Sequence, residues 1–424
     1  ASRVGADPGY QTFMNQRFIG LAFIMTLWFV ISFVTNILGP IMPLVIKDFG
    51  LSLALAGFLP FSFFLAYGVV SIPAGLLIER IGAKNALIFA LVINLAGAAM
   101  FAIMPAFATA VLALFVIGMG MAMLQVVINP LTRTVGGEAN YPFFSVMGQL
   151  VFGLASFVSP WVFQAVMSTA ARRPPPAVFV LAPQSLPWVI LYWLFLVLFA
   201  GAVVLTFIMP LPRVELQEDE RVEGVAFYRE LLRQPKVWGF FVGIACYVAT
   251  EQSLANWMSK FLETYHGFSP LQQGASAVAW FWGLMAAGCL LGMAPLRFIQ
   301  SKLVLRQFAA VAILCLMAAL WGNGTVALHA FPLLGFLLSV MFPIIFALAL
   351  NSVPAHHGAF AGILCTGIIG GAIGPLLVGL IGEAAGLRAG LTLAFVTLAY
   401  ILLLSFRARP LVDNITAAPA CYTV

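Results

Sequence analysis

Twelve apolar runs, each of roughly 20 residues or more, follow one another along the 424-residue chain. They cover residues 18–46, 52–78, 85–105, 107–130, 143–168 and 187–209, then 237–260, 271–296, 306–327, 331–352, 358–382 and 390–407. A helix of that length crosses the hydrocarbon core of a bilayer, because each residue adds about 1.5 Å. In hydrocarbon no water satisfies a backbone N–H or C=O, so only helices and closed barrels cross. Continuous apolar runs argue against a barrel, whose strands alternate apolar and polar residues. The 20 Lys and Arg and 14 Asp and Glu make up 8% of the chain. That is too little charge to cover a soluble enzyme, a nucleic-acid binder or a disordered chain. The expected fold is an all-α membrane protein of twelve transmembrane helices, with no enzyme activity.

One long polar segment, 210–236, divides the runs six and six, and six of the 14 acidic residues fall in it. The expected organisation is an N-terminal six-helix bundle (1–209), a cytoplasmic linker (210–236) and a C-terminal six-helix bundle (237–424). With the N-terminus in the cytoplasm, 15 basic residues fall on that side; Lys47, Arg172, Arg173, Lys260 and Arg388 fall on the other. That bias predicts an inner-membrane protein with both termini cytoplasmic. Cys246, Cys289, Cys315 and Cys365 lie far apart in apolar runs, Cys421 lies near the end, and no CxxC occurs. They read as free thiols. His356-His357 reads as a loop, so neither a metal nor a cofactor is expected.

Polar groups inside hydrocarbon cost free energy and need a structural or functional reason. Glu251 lies about 21 Å into the seventh run at 1.5 Å per residue. A carboxyl there could exchange a proton, ligate Na⁺ or bind a polyhydroxyl ligand; equally, it could be a neutral packing group. Gln252 and Asn256 share its helix, four residues apart. Asn36 in the first run, Gln125 and Asn129 in the fourth and Gln149 in the fifth are further amides. Amides donate and accept, which suits sugar hydroxyls, but they also bond helix to helix. Trp28, Tyr247, Trp257, Trp280 and Trp282 lie in runs that could line a cavity, with Trp28 and Tyr247 as candidate stacking groups. Trp161, Trp188, Trp193 and Trp238 read as interfacial anchors.

After the second run comes Gly75-Leu76-Leu77-Ile78-Glu79-Arg80-Ile81-Gly82-Ala83-Lys84. It resembles the Gly-x-Leu-x-Asp-Arg-x-Gly-Arg-Lys loop signature of the major facilitator superfamily. Gly75 and Gly82 would permit close approach and a tight turn, and Glu79, Arg80 and Lys84 would form a gating loop.

Further segments are similar to the fucose–proton symporter family within that superfamily. They are Leu27-Trp28 with Asn36-Ile37-Leu38-Gly39-Pro40, Ser71-Ile72-Pro73-Ala74-Gly75, and Gln125-Val126-Val127-Ile128-Asn129-Pro130. Cys246-Tyr247-Val248, Gly367-Ile368-Ile369-Gly370-Gly371 and Gly382-Glu383-Ala384-Ala385-Gly386 continue the series. The resemblance implies inward sugar transport coupled to a cation, by alternating access. Its fucose-transporting member carries carboxylates where this chain has Asn36 and Gln125, and Gln where this chain has Glu251. Coupling to H⁺ or Na⁺ through Glu251 is therefore expected, in a monomer whose partners are a small-molecule substrate and the lipid bilayer, with no nucleic acid. A passive uniporter and an exporter of amphipathic compounds remain as alternatives.

Overall fold

Backbone groups in lipid must bond within their own segment, and the apolar runs are helical throughout the computed structural model, which describes residues 8–136, 141–172, 176–209, 211, 225–296, 299–353 and 357–408. The first six spans are α1 (Pro8–Thr35) with α2 (Leu38–Asp48), α3 (Leu53–Ile81), α4 (Ala83–Ile103), α5 (Phe107–Gly136), α6 (Tyr141–Ala170) and α7 (Ile190–Ile208). A short helix, α8 (Val225–Leu232), precedes the second set. That set is α9 (Pro235–His266), α10 (Ala275–Leu296), α11 (Ser301–Trp321), α12 (Gly324–Leu338) with α13 (Met341–Leu350), α14 (His357–Thr366) with α15 (Gly370–Ala385), and α16 (Leu387–Leu391) with α17 (Leu393–Arg407). Eleven spans among the described residues are long and apolar enough to cross a membrane. The twelfth, α9, has 32 residues but carries Glu251, Gln252, Ser253 and Asn256 near its middle, which makes it too polar to count with the others.

Two expected continuous spans are broken. The first interrupts at Asn36-Ile37 and the tenth at Ser339-Val340. A proline lies four residues beyond the start of each break, Pro40 and Pro343. Its ring excludes the carbonyl of residue i−4 and it has no N–H to offer, so Asn36 and Ser339 lose their helical acceptor role. The eleventh span tightens into a 3-10 turn at Gly367–Ile369. The turn between the ninth and tenth spans also falls earlier than the apolar run suggests. Asn323 caps α12 by accepting the Val326 N–H at 2.9 Å, and a cap overrides continuous hydrophobicity.

Bonds between span ends show that successive helices alternate in direction. The Trp188 indole N–H donates to Asp48 Oδ2 at 2.8 Å on the side away from the N-terminus. Trp188 is 2% exposed and stacks on Phe101 with centroids 5.7 Å apart, so it is a core residue and not the interfacial anchor its position suggested. On the N-terminal side, Lys84 Nζ donates to the Phe207 and Met209 carbonyls, both at 2.9 Å. These acceptors lie at the end of α7, where helix carbonyls lack intrahelical partners and favour a cation. Lys84 therefore pins the third span to the sixth within one half of the chain. Gly82 has φ of 78°, which fits the tight turn its motif implied. Gly75 lies inside α3 and Arg80 is exposed. The Glu79 side chain lies outside the described residues, as does His356.

The two halves meet most closely on the side away from the termini. A Cβ on Gly39 of α2 would collide with the Ala255 carbonyl of α9. A Cβ on Gly57 of α3 would lie 3.0 Å from Leu376 Cα and 3.2 Å from the Pro375 oxygen of α15. The Leu53 N–H at the start of α3 donates to Glu383 Oε2 of α15 at 2.8 Å. Gln164 of α6 donates to the Gln272 carbonyl at 3.0 Å, just before α10. Small residues allow this backbone approach, and dispersion then holds the seam without a hydrophobic drive between helices.

Two expectations follow from these contacts. Lys84→Met should lower stability in detergent by about 1–2 kcal/mol, with Lys84→Arg closer to the parent; equal thermal midpoints for Lys84→Met and the parent would count against the clamp. Gly39→Val should hold the seam apart, so that thiol labelling of Asn256→Cys by a membrane-impermeant maleimide rises several-fold. Unchanged labelling would mean that the seam accommodates a side chain at Gly39.

Candidate functional site

The middle of α9 places its polar residues on one face by helical spacing. Tyr247 and Glu251 are four residues apart, as are Gln252 and Asn256. The Tyr247 hydroxyl donates to Glu251 Oε1 at 3.0 Å, and the Gln252 amide lies 3.4 Å from Oε2. The Asn256 amide donates to the Gln252 carbonyl at 2.8 Å and approaches its Oε1 at 3.3 Å. Tyr247, Gln252 and Asn256 are buried, whereas Glu251 is half-buried. The carboxylate is thus held by its own helix while one side stays accessible. Tyr247, expected as a stacking group, acts here as the donor that orients Glu251, and its ring packs on Phe342 at 5.7 Å between centroids.

The opposing wall comes from the break in the first span. Asn36 is 5% exposed, and its amide donates to Ser156 Oγ of α6 at 2.8 Å. Ser156 and Ser32 hydroxyls lie 2.6 Å apart, and Ser32 also donates to the Phe152 carbonyl. Thr35, beside the break, bonds Tyr67 of α3. Since Gly39 packs on Ala255 and the two helices run in the same direction, Asn36 and Gln252, each three residues earlier, lie at about the same level. Asn256 and Thr35 line one cavity together with Phe63, Phe64, Trp188 and Tyr192. Its volume is about 20 Å³, which is room for one water-sized group. The buried end of the site is therefore closed to anything larger in this structure.

The remaining expected residues lie nearer the terminal side and are more open. Gln125 is half-buried, Asn129 exposed and Gln149 exposed. Asn129 approaches only the Gln125 carbonyl, at 3.4 Å. Gln149 shares a helix face with Gly153, which packs on Ala286 of α10, and with Ser156. It therefore points along the seam between the halves. Trp28 is 6% exposed, edge-on to Phe152 at 6.1 Å, and a Cβ on Gly148 would lie 2.7 Å from its Nε1. Packed in this way, it presents no free face for stacking. Trp280 is 51% exposed and lines an outer groove with Gln273 and His329, away from the seam. Trp257 is fully buried and donates to the Pro375 carbonyl at 3.0 Å. Among the described residues no group of three or more His, Cys, Asp and Glu could hold a metal ion.

Ser156 and Tyr67 belong to the polar lining and were not singled out from the sequence. Ser156 carried a usable signal, because it lies seven residues, two helical turns, from Gln149. Tyr67 carried none, since a single Tyr in a Phe-rich span reads as packing.

This arrangement, amides and a carboxylate facing each other across a seam between two sets of spans, has close parallels. Residues 24–367 match the family model of the Major Facilitator Superfamily. A glucose/galactose transporter of Brucella abortus is 31% identical over 410 residues, covering 93% of this chain and 96% of that protein. The L-fucose–proton symporter of Escherichia coli is 25% identical over 395 residues, covering 87% and 88%. A crystal structure of the E. coli fucose:proton symporter shares the fold at a TM-score of 0.67 and 19% identity, over 93% of this chain and 99% of that one. The chain belongs to the major facilitator superfamily.

Proposed function

We propose that this protein is a secondary active transporter that moves a sugar across the inner membrane by alternating access. The observation that carries this reading is the half-buried Glu251, held by Tyr247 and Gln252 at mid-span and level with the amide of Asn36. Asn36, Gln125, Asn129 and Gln149 line the first half of the path, and Glu251, Gln252 and Asn256 the second. Amides and a carboxylate suit hydroxyls, which both donate and accept. The names of the relatives in Brucella abortus and Escherichia coli, both sugar transporters, support the same substrate class. The two six-helix units, joined by the 210–236 segment, rock about the site. The distribution of basic residues supports cytoplasmic termini, which makes the tightly packed seam at Gly39, Gly57 and Glu383 the outer gate. The protein acts as a monomer.

Glu251 is the coupling group for H⁺ or Na⁺. Coupling needs a group whose charge changes with the transport state, and desolvation as the seam closes disfavours the charged carboxylate. A glutamine in its place keeps the shape and most hydrogen bonds but cannot titrate. Glu251→Gln should therefore abolish concentrative sugar uptake in vesicles while counterflow exchange survives. Concentrative uptake at the parental level would remove Glu251 from this role. A passive uniporter is the second reading, favoured by neutral Asn36 and Gln125 where the fucose-transporting relative resembled in sequence carries carboxylates. It expects no proton or sodium flux alongside sugar in the parent protein.

A further inference from the structure

One buried polar group beside the site is unaccounted for by its packing. Trp282 of α10 is 3% exposed, and its indole N–H finds no hydrogen-bond partner among the described residues. Leaving a buried donor unpaired costs about 1–3 kcal/mol, and tryptophans in such places usually find an acceptor. The neighbouring large rings show the contrast: Trp257 and Trp188, equally buried, both donate, at 3.0 Å and 2.8 Å.

The antiparallel register of α9 and α10 fixes the level of that N–H. Near the turn that joins them, Gly274 faces Ser259. One turn further, Ala255 and Val278 meet the same atom position, since a Cβ on Gly39 would touch both. Each pair shifts by four residues in opposite directions along two helices of equal rise. Four more residues bring Trp282 level with Glu251. Met285 and Cys289 continue that face of α10, and Cys289 lies within electrostatic reach of Glu251.

We propose that Trp282 is a sugar-binding residue, whose indole N–H donates to the same substrate hydroxyl that donates to Glu251. This rests on the sugar-transport reading and names one contact within it. The indole is a donor only, and an ionised carboxylate is an acceptor only. A hydroxyl is the one common sugar substituent that satisfies both at once. Hydrogen in its place leaves both groups unpaired, and a methyl ether satisfies the indole but not the carboxylate. The pair thus reads the presence and the proton of one hydroxyl, and the unpaired indole of the empty protein is the vacancy this substrate fills.

The test measures binding of D-glucose and D-galactose, with their monodeoxy and mono-O-methyl analogues, to purified full-length protein. Parent, Trp282→Phe and Glu251→Gln are compared, after thermal melts show that each is folded. In the parent, removing one particular hydroxyl should weaken binding about 3- to 10-fold. In Trp282→Phe the intact sugar should weaken by a similar factor, and the penalty for that one deoxy analogue should vanish while penalties at other positions persist. Parental affinity and an unchanged analogue ranking in Trp282→Phe would overturn the assignment and leave the sugar reading standing. A uniform loss across all analogues would make Trp282 a packing group and also overturn it. If the parent binds none of the sugars, the sugar reading fails and this contact fails with it. Should Trp282→Phe not fold, Trp282→Tyr, which keeps an aromatic ring and places its donor elsewhere, is read by the same criteria.

Discussion

The absence of water around the spans governs this molecule. Each backbone N–H and C=O must be satisfied by its own helix, so the chain can depart from helix only where other groups take over. It departs at Asn36-Ile37, at Ser339-Val340 and at Gly367–Ile369. The first break sits beside a dense polar set: Asn36, Ser32, Ser156, Thr35 and Tyr67 bond one another or nearby carbonyls. Proline opens the helix, polar side chains make the opening tolerable, and the same side chains then face the seam. The local requirement of a broken helix and the chemistry of a binding wall are met by one group of residues.

The seam depends on a second consequence of the same solvent. Apolar side chains gain nothing from leaving lipid for a protein interface that is equally apolar, so close packing must hold the halves together. Glycines at 39, 57, 153 and 379 bring backbones near enough for that. Contacts of this kind are individually weak and need no rearrangement of charge to separate. Polar links between the halves are sparse and peripheral: Leu53 with Glu383, and Gln164 with Gln272 and Ser276. A closed state built in this way can open at modest cost, which alternating access requires.

Charge is placed with corresponding economy. Lys84 and Lys236 serve as caps for helix ends, Lys84 on Phe207 and Met209 and Lys236 on the Ser352 carbonyl at 2.8 Å. Arg388 lies over the Tyr265 ring at 4.6 Å. Such residues stiffen each half. Glu251 differs, because its partners are neutral donors on its own helix. No fixed cation holds it, so its state is free to answer to the water and substrate around it.

The twelve spans, their six-and-six division, the family and the importance of Glu251 and its neighbouring amides were legible in the sequence, because hydropathy and the cost of intramembrane polarity act residue by residue. The tight turn at Gly82 was legible too, through its motif. What the linear pattern could not decide were relations between helices. Trp28 and Trp188 look alike as aromatic residues near polar neighbours, yet one is wedged against Gly148 and the other bonds Asp48. Tyr247 turned from stacking group to hydrogen-bond donor because Glu251 lies one turn away with its oxygen in reach. Ser156, Tyr67 and Trp282 gained meaning only when α3, α6, α9 and α10 were set beside one another. Transfer into lipid is a property of each segment and is written in its composition. Which face of a span meets which neighbour depends on packing between distant parts of the chain, and only the tertiary structure supplies it.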